Sequence, residues 1–300
     1  MLQTAKNLAA ATILATGTLS GAAVAQEKTI RIGWTAWADA EAVTKMAAQI
    51  LEERLGYNVE LTLADIAIQY SAVASGDLDV MLMSWQPETH RDYMEEVAGR
   101  VVDLGPLYVG ARLGWAVPTY IPEDQLSSIE DLKNEEVREQ LGGQIIGIDP
   151  GAGLMRLSKQ AIEEYGLDNY QLVASSGAGM TAQLDRAVQR NNWIVVTAWN
   201  PHWMFSAYDL RYLEDPLGVL GGAEHIDAIA RQGFYQDFPE AAAFLARMFL
   251  PLEELEAVMY EAQQTSYEEA VANYIETHEA RVNYWVTGEI GSTDDATAGD

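Results

Sequence analysis

Two tryptophan motifs are the residues of this chain best suited to bind a ligand. Residues 85–90 have the sequence Trp-Gln-Pro-Glu-Thr-His and follow the apolar run 78–83, while residues 199–202 have the sequence Trp-Asn-Pro-His and end the run that starts at Ile194. Such runs are typical of buried strands, and the proline two residues after each Trp ends the strand. Ligands of open α/β sheets bind beyond the carboxyl ends of the strands. The spacing therefore predicts that Trp85 and Trp199 meet in one crevice and form part of an aromatic cage.

A third tryptophan is predicted at the same place. Trp37 lies in the loop after the predicted first strand, residues 29–34, and Trp34 competes with it for this position or packs beneath it. A Trp side chain more often packs in a core than binds a ligand. We therefore expect the remaining tryptophans to be structural: Trp115, Trp193, Trp203 and Trp285.

A glycine-bearing turn supplies a different kind of site. Residues 149–154, Asp-Pro-Gly-Ala-Gly-Leu, precede a predicted helix over residues 154–165. The first N–H groups of a helix have no partner within it, and they suit a carboxylate or a phosphate. The amides of Gly153 and Leu154 are thus candidate anion ligands. Combined with an aromatic cage, they predict a ligand with a soft cation lacking N–H groups at one end and an anion at the other, which describes a methylated zwitterion.

Catalytic and metal-binding patterns are missing from the sequence. It contains no Walker loop, no G-x-S-x-G, no H-E-x-x-H and no cysteine, and its four histidines lack metal-ligand spacing. We therefore expect a binding protein without catalytic residues, metal or cofactor. Two alternatives remain open at this point: an exported enzyme acting on a quaternary amine, with His90 or His202 as base, and an adaptor that binds a solute and signals to a membrane sensor.

The composition points to export. Residues 1–25 contain Lys6 as their only charge, an apolar stretch over 8–19, and Ala-Val-Ala at 23–25, which predicts a cleavable secretory signal peptide. No cysteine follows it, so we expect a periplasmic protein without a lipid anchor. The formal net charge of −27 argues against nucleic acid as a partner, because phosphate contacts need a basic face. The acids are spread along the chain, which favours a solvated surface over a patch that steers a cationic ligand.

The order of the predicted elements indicates two α/β lobes. Strands at 29–34, 58–63 and 78–83 alternate with helices at 40–55 and 68–74, as in a parallel sheet, and Asp77 and Asp79 beside the third strand are expected to be solvated. A strand at 113–118 and a charged helix at 129–141 lead to a second unit. The later elements are predicted at 144–148, 154–165, 172–173, 180–190, 193–199, 208–213, 239–249, 253–263 and 267–285. We predict one lobe from residues 26–114 plus 214–300, and an inserted lobe from 115–213, with a ligand cleft between them that closes by hinge motion.

Six segments together resemble one family. They are residues 33–39 (Gly-Trp-Thr-Ala-Trp-Ala-Asp), 55–57, 76–80, 85–90, 149–155 and 199–203. With them the chain resembles the periplasmic substrate-binding proteins of ABC transporters for glycine betaine and proline betaine over nearly all of its length after the signal peptide. The resemblance implies a type II binding-protein fold, in which each lobe is a mixed, mostly parallel sheet flanked by helices, and it implies a membrane permease as partner. A monomer is the expected state of this fold.

The resemblance also implies roles for particular residues. Three Trp rings surround the quaternary ammonium in the family, and by motif they fall on Trp37, Trp85 and Trp199. The carboxylate is held by two amides, matching Gly153 and Leu154, and by a histidine matching His90. Choline-binding relatives carry an acid in the first loop, where this chain has Asp39 and Glu41, so a choline or carnitine receptor of the same fold stays the alternative.

Overall fold

The computed structural model describes residues 28–290. The predicted signal peptide, residues 1–25, lies outside this range. In the described chain, none of the helices combines the length and the apolar character needed to span a lipid bilayer.

The strands follow the predicted alternation in the first part of the chain and then depart from it. In chain order they are β1 (Thr29–Trp34), β2 (Asn58–Leu63), β3 (Val80–Gln86), β4 (Val101–Pro118), β5 (Gln144–Ile146), β6 (Gln171–Val173), β7 (Val196–Asn200), β8 (Leu210–Tyr212) and β9 (Glu224–Arg231).

Helices cover the sheet and connect its strands. They are α1 (Ala38–Glu53), α2 (Ile66–Ser75), α3 (Arg91–Val97), α4 (Glu135–Gln140), α5 (Gly153–Glu164), α6 (Gly177–Arg190), α7 (Met204–Ala207), α8 (Phe234–Asp237), α9 (Pro239–Arg247), α10 (Leu252–Gln264), α11 (Tyr267–Thr277) and α12 (Glu279–Thr287), with a short 3-10 helix at Ile129–Lys133.

Backbone hydrogen bonds join the strands of residues 28–290 into one curled mixed sheet of order β2-β1-β3-β9-β4-β7-β5-β6, with β8 on β4. The long strand β4 belongs to both parts of the sheet, because it pairs with β9 up to Ala111 and with β7 from Arg112 onward. We call β1, β2, β3, β9 and the part of β4 up to Ala111 the first half of the sheet. The second half is the rest of β4 with β5, β6, β7 and β8.

The expectation of a parallel sheet holds for β1 with β2 and β3, and for β5 with β6 and β7. Antiparallel pairing occurs at the centre of the molecule, where β9, a strand that was not predicted, runs between β3 and β4. The sequence analysis missed β9 because its segment, Glu-His-Ile-Asp-Ala-Ile-Ala-Arg, carries several charged residues. The structure buries Glu224 and Asp227 within it, so a strand that looks half-polar lies in the core.

Two predicted helices are each divided. The helix expected over 129–141 is a 3-10 helix followed by α4, because Asn134 adopts an extended conformation and its side chain caps α4 by accepting from Glu136 N. The helix expected over 267–285 breaks at His278, where α11 ends and α12 begins.

One acidic residue expected in solvent is instead buried. Asp79 accepts from Arg31 Nε at 2.9 Å and from Arg231 Nε at 2.7 Å, and its side chain is 2 % exposed. Burial by itself raises the pKa of Asp79, but the hydrogen bonds from Arg31 and Arg231 outweigh it, and the pKa is lowered. This ion pair connects β1, the start of β3 and the end of β9.

Candidate functional site

A cavity with about 280 Å³ of empty space, part of it open to solvent, lies where the two halves of the sheet meet. The carboxyl ends of β3 and β7 contribute Trp85 and Trp199, and the residue before α1 contributes Trp37. The wall is formed by Trp37, Trp85, Thr89, His90, Leu113, Ile148, Ala152, Gly153, Leu154 and Trp199. The structure thus brings together three tryptophans, one histidine and the glycine-bearing turn, which the sequence analysis had selected separately.

Trp37 occupies the position for which two tryptophans competed. It is 6 % exposed, precedes the first turn of α1 and faces the cavity. Trp34 is the last residue of β1, is half-buried against the core, and is not part of the cavity wall. Trp115 and Trp285 are fully buried core residues, as expected.

Two of the three cage tryptophans donate their indole N–H to a carboxylate. Trp199 Nε1 donates to Asp39 Oδ1 at 2.9 Å, and Trp37 Nε1 donates to Asp149 Oδ2 at 3.2 Å. Asp39 lies on α1, packed on the first half of the sheet, and Asp149 lies in the loop after β5 in the second half. Each of these two rings is therefore oriented by a carboxylate from the opposite half.

His90 is held as a neutral hydrogen-bond donor. Its Nδ1 accepts from the backbone N–H of Trp85 at 3.1 Å, and the ring lies among Trp37, Tyr70 and Tyr93. Burial, together with the charge of Arg156, lowers the pKa of His90 to about 3. A neutral imidazole that accepts at Nδ1 carries its proton on Nε2. His90 can therefore donate from Nε2 to an acceptor in the cavity at any ordinary pH.

The start of α5 presents backbone amides at the opposite wall. The N–H groups of Gly153 and Leu154 occupy the first two positions of the helix, where no intrahelical acceptor exists, and no acceptor for them is found among residues 28–290. Glycine is required at 153 because a Cβ there would lie 2.4 Å from the carbonyl oxygen of Thr89. The two halves of the sheet therefore approach each other closely beside the proposed anion position.

Further contacts join the halves around this point. Arg156 Nη2 donates to the carbonyl oxygens of Glu88 and Thr89 at 3.2 and 3.3 Å, and Tyr93 Oη donates to the carbonyl oxygen of Gly151 at 2.9 Å. These bonds place the loop between β3 and α3 directly against the start of α5.

Glu224 is a site residue that the sequence analysis missed. Its carboxylate is 3 % exposed and accepts from Thr89 N at 3.1 Å, from Glu88 N at 3.3 Å and from Thr89 Oγ1. It thereby holds the segment that carries His90. Glu224 was not predicted because strand β9 was not predicted. Only the pairing of β9 with β3 brings residue 224 beside residue 88.

The two candidate bases, His90 and His202, are both buried. His202 is buried beside Trp199, its Nδ1 accepts from Met204 N at 3.0 Å, and burial lowers its pKa to about 3. Within residues 28–290, neither of the two imidazole rings is hydrogen-bonded to a carboxylate or a nucleophile. Within residues 28–290 no group of three or more His, Asp or Glu side chains is arranged to hold a metal ion.

Several known proteins are similar in sequence. The glycine betaine/carnitine transport binding protein GbuC of Listeria monocytogenes is 41% identical over 157 residues, covering 51% of this chain and 52% of that protein, so the alignment spans about half of each. The glycine betaine-binding periplasmic protein OusX of Dickeya dadantii is 23% identical over 272 residues, covering 78% of this chain and 82% of that protein.

Solved structures resemble the whole fold. Lactococcal OpuAC in its closed-liganded conformation with glycine betaine superposes with a TM-score of 0.81 at 36% identity, covering 87% of this chain and all of that one. An ABC-transporter choline-binding protein in complex with choline has a TM-score of 0.79 at 26% identity, covering 89% and 93%. The fold is therefore that of type II periplasmic binding proteins. The model of the substrate-binding domain of ABC-type glycine betaine transport systems matches residues 28–277, and the chain belongs to that family.

Proposed function

We propose that this protein captures glycine betaine or proline betaine in the cavity between the two halves of the sheet and delivers it to the permease of an ABC transporter. The ammonium group lies among Trp37, Trp85 and Trp199. The carboxylate accepts hydrogen bonds from the amides of Gly153 and Leu154 and from His90 Nε2. One observation carries the proposal: all six of these residues line the same small cavity.

Both ends of such a ligand are needed for tight binding. A cation over an aromatic face contributes about 0.5–2 kcal/mol, so three faces supply roughly 1.5–6 kcal/mol. A micromolar dissociation constant corresponds to about 8 kcal/mol. Hydrogen bonds to a charged group contribute roughly 1.5–3 kcal/mol each, and the carboxylate site therefore provides the remainder.

The wider setting is part of the same proposal. We assign residues 26–114 plus 214–300 and residues 115–213 to two lobes, because β4 changes partner at residues 111 and 112 and the chain returns between β8 and β9. The proposed protein is a monomer, exported to the periplasm through a cleavable signal peptide without a lipid anchor. Its role is binding and release, with no chemical step.

The test is a titration of the intrinsic tryptophan fluorescence with glycine betaine. We expect a saturable spectral change in the parent protein and its loss in Trp85→Ala and in Trp199→Ala, while both variants keep their far-ultraviolet circular dichroism. Trp193→Ala is the matched control, since Trp193 is a half-buried tryptophan away from the cavity. A Trp85→Ala variant that bound betaine as tightly as the parent would contradict the cage.

A choline or carnitine receptor is the second candidate. It is favoured by the choline complex among the similar structures and by the word carnitine in the name of the Listeria relative. Competition with choline separates a choline receptor from a betaine receptor, because choline lacks the carboxylate for Gly153, Leu154 and His90. Displacement of betaine by choline at equal concentration would move the assignment to the second candidate.

A further inference from the structure

The Asp39 side chain is the most deeply buried acid near the cavity. It is 0 % exposed, and its two oxygens accept from Tyr108 Oη at 2.6 Å and from Trp199 Nε1 at 2.9 Å. Asp39 lies at the outer edge of the Trp199 ring and not in the cavity wall. The acid of the first loop is thus separated from a ligand in the cage by the indole ring itself.

The bond between Asp39 and Trp199 depends on how the two halves sit against each other. Asp39 and Tyr108 both lie in the first half, so their bond does not require closure. Trp199 comes from β7 in the second half and covers the remaining oxygen. Closing the cleft therefore removes the last solvent from the carboxylate, and burying an isolated charge is unfavourable unless an opposite charge is near.

A cation in the cage meets that condition. An indole whose N–H donates to a carboxylate gains electron density in its ring, and the face of an electron-rich ring attracts a cation more strongly. In a site shielded from water, the charge of Asp39 also acts directly on the ammonium. Burial raises the pKa of Asp39 over the opposing effect of the Tyr108 and Trp199 hydrogen bonds, so the buried position disfavours the ionised carboxylate when no cation is near.

We propose that Asp39 is the counter-charge of the cage, acting through the Trp199 indole so that closing the cleft is favourable only around a cationic ligand. This proposal rests on the proposed function and adds a positioning and specificity-determining residue to it. Asp39 makes the cavity selective for a quaternary ammonium over an uncharged group of the same shape, which three apolar ring faces alone would accept.

The chain contains a matched control for this role. Asp149 also accepts from a cage indole, that of Trp37, at 3.2 Å, but its side chain is half-buried and partly exposed to solvent. Solvent screens its charge, so Asp149 should orient Trp37 with little effect on the charge preference of the cage. Asp39→Asn and Asp149→Asn both keep the shape of the side chain and one of its two acceptor oxygens, and both remove its negative charge.

The first experiment measures the affinity of each variant for glycine betaine and for 3,3-dimethylbutanoate, in which carbon replaces the nitrogen, by calorimetric titration. We expect Asp39→Asn to weaken betaine binding at least tenfold while the affinity for 3,3-dimethylbutanoate is unchanged or increased. Asp149→Asn, which alters only the orientation of Trp37, should change the affinities for the two ligands by the same factor. Equal losses for both ligands in Asp39→Asn would show that the residue only positions the ring, and would overturn the proposal.

The second experiment needs no ligand. If the buried charge opposes closure, Asp39→Asn should shift the ligand-free protein toward the closed form and reduce its radius of gyration in small-angle X-ray scattering. Loss of a mere structural bond would instead open the cleft or leave it unchanged, and either result would overturn the proposal. A parent protein that failed to bind betaine would refute the proposed function, while the scattering comparison would still test Asp39.

Discussion

At the scale of single residues, the site depends on fixing hydrogen-bond donors in advance. The Trp85 N–H occupies His90 Nδ1, so the proton of the imidazole is directed to Nε2. Helix α5 leaves the amides of Gly153 and Leu154 without intrahelical acceptors. All three donors are in place before a ligand arrives, which lowers the entropy lost on binding.

The first prediction concerns the pH dependence of stability through His90. Its pKa is about 3 in the folded protein, whereas an unfolded histidine has a pKa of about 6.5. Below about pH 6.5 the histidine therefore binds a proton in the unfolded chain but not in the folded protein. The free energy of unfolding consequently falls as the pH is lowered toward about 3. The His90→Asn variant keeps an acceptor for Trp85 N but has no titrating group at this position. The part of the pH dependence of stability that comes from His90 is therefore missing in it.

Denaturant unfolding at several pH values checks this. The stability of the parent should decline relative to that of His90→Asn by up to about 1.4 kcal/mol per pH unit between about pH 6 and 4. Parallel curves for the two proteins would show that His90 titrates normally in the folded state.

At the scale of elements, the contact between α5 and the loop after β3 joins the two halves of the sheet. Gly153 lets the two backbones meet, and a Cβ at this position would also lie 2.5 Å from Thr89 Cγ2. Alanine is an acceptable residue for the first turn of a helix, so the fold of the second half should be preserved.

We therefore predict that Gly153→Ala impairs closure and not folding. An overpacked contact costs about 1–3 kcal/mol, equivalent to a roughly 5- to 150-fold weaker affinity for betaine. Gly151→Ala is the matched control, since nothing lies within 4 Å of a Cβ built there. A Gly153→Ala protein with the affinity of Gly151→Ala would mean that the halves do not meet this closely.

The ion pair of Asp79 joins three strands of the first half. Removing the carboxylate in Asp79→Asn leaves Arg31 and Arg231 without their shared partner, and breaking a buried pair costs about 3–5 kcal/mol. We expect the lower end of that range, because the Arg31 side chain is 38% exposed. Guanidinium or urea unfolding of parent and variant measures the difference.

The sign of the pH dependence follows from the direction of the shift. The pKa of Asp79 is lowered in the folded protein, so the carboxylate contributes its stability above the unfolded pKa of about 3.9 and loses it as the pH falls through the folded pKa. The difference between parent and Asp79→Asn should be constant from pH 7 to about 4 and shrink below that. A difference that shrank above pH 5 would contradict the assignment.

At the scale of the whole molecule, the net charge of −27 is the dominant property. Acidic residues outnumber basic residues by 45 to 18, so repulsion among the negative charges destabilises the compact folded state. Raising the ionic strength from about 0.01 M to 1 M shortens the screening length from about 30 Å to 3 Å.

We therefore predict that sodium chloride stabilises the protein. A gain of 1 kcal/mol corresponds to a rise in melting temperature of about 2–4 °C for a chain of this size, and calorimetry over this salt range should show at least that. A melting temperature that fell with salt would mean that ion pairs such as that of Asp79 outweigh the overall repulsion.

Several features of this protein follow from local sequence. The apolar runs before Trp85 and Trp199, the glycine-bearing turn at residues 149–154 and the alternation of strands and helices up to β3 are short-range patterns, and they predicted the α/β class and the candidate site residues. Each depends on the side-chain period of one element or on the chemistry of one turn, which neighbouring residues determine.

Other features exist only because distant segments meet. The charged residues of β9 hide its strand character in the sequence. In the structure Glu224 is buried by hydrogen bonds from amides of the loop after β3, and Asp227 is buried by the strands on either side. The choice of Trp37 over Trp34 depends on which ring faces the cavity once α1 packs on β1. The partners of Asp39 lie 69 and 160 residues away in the chain. The sequence by itself determined which groups could bind a methylated zwitterion. The tertiary structure decided which of these groups converge and how each is charged, because burial and pairing across the sheet depend on several distant segments at once.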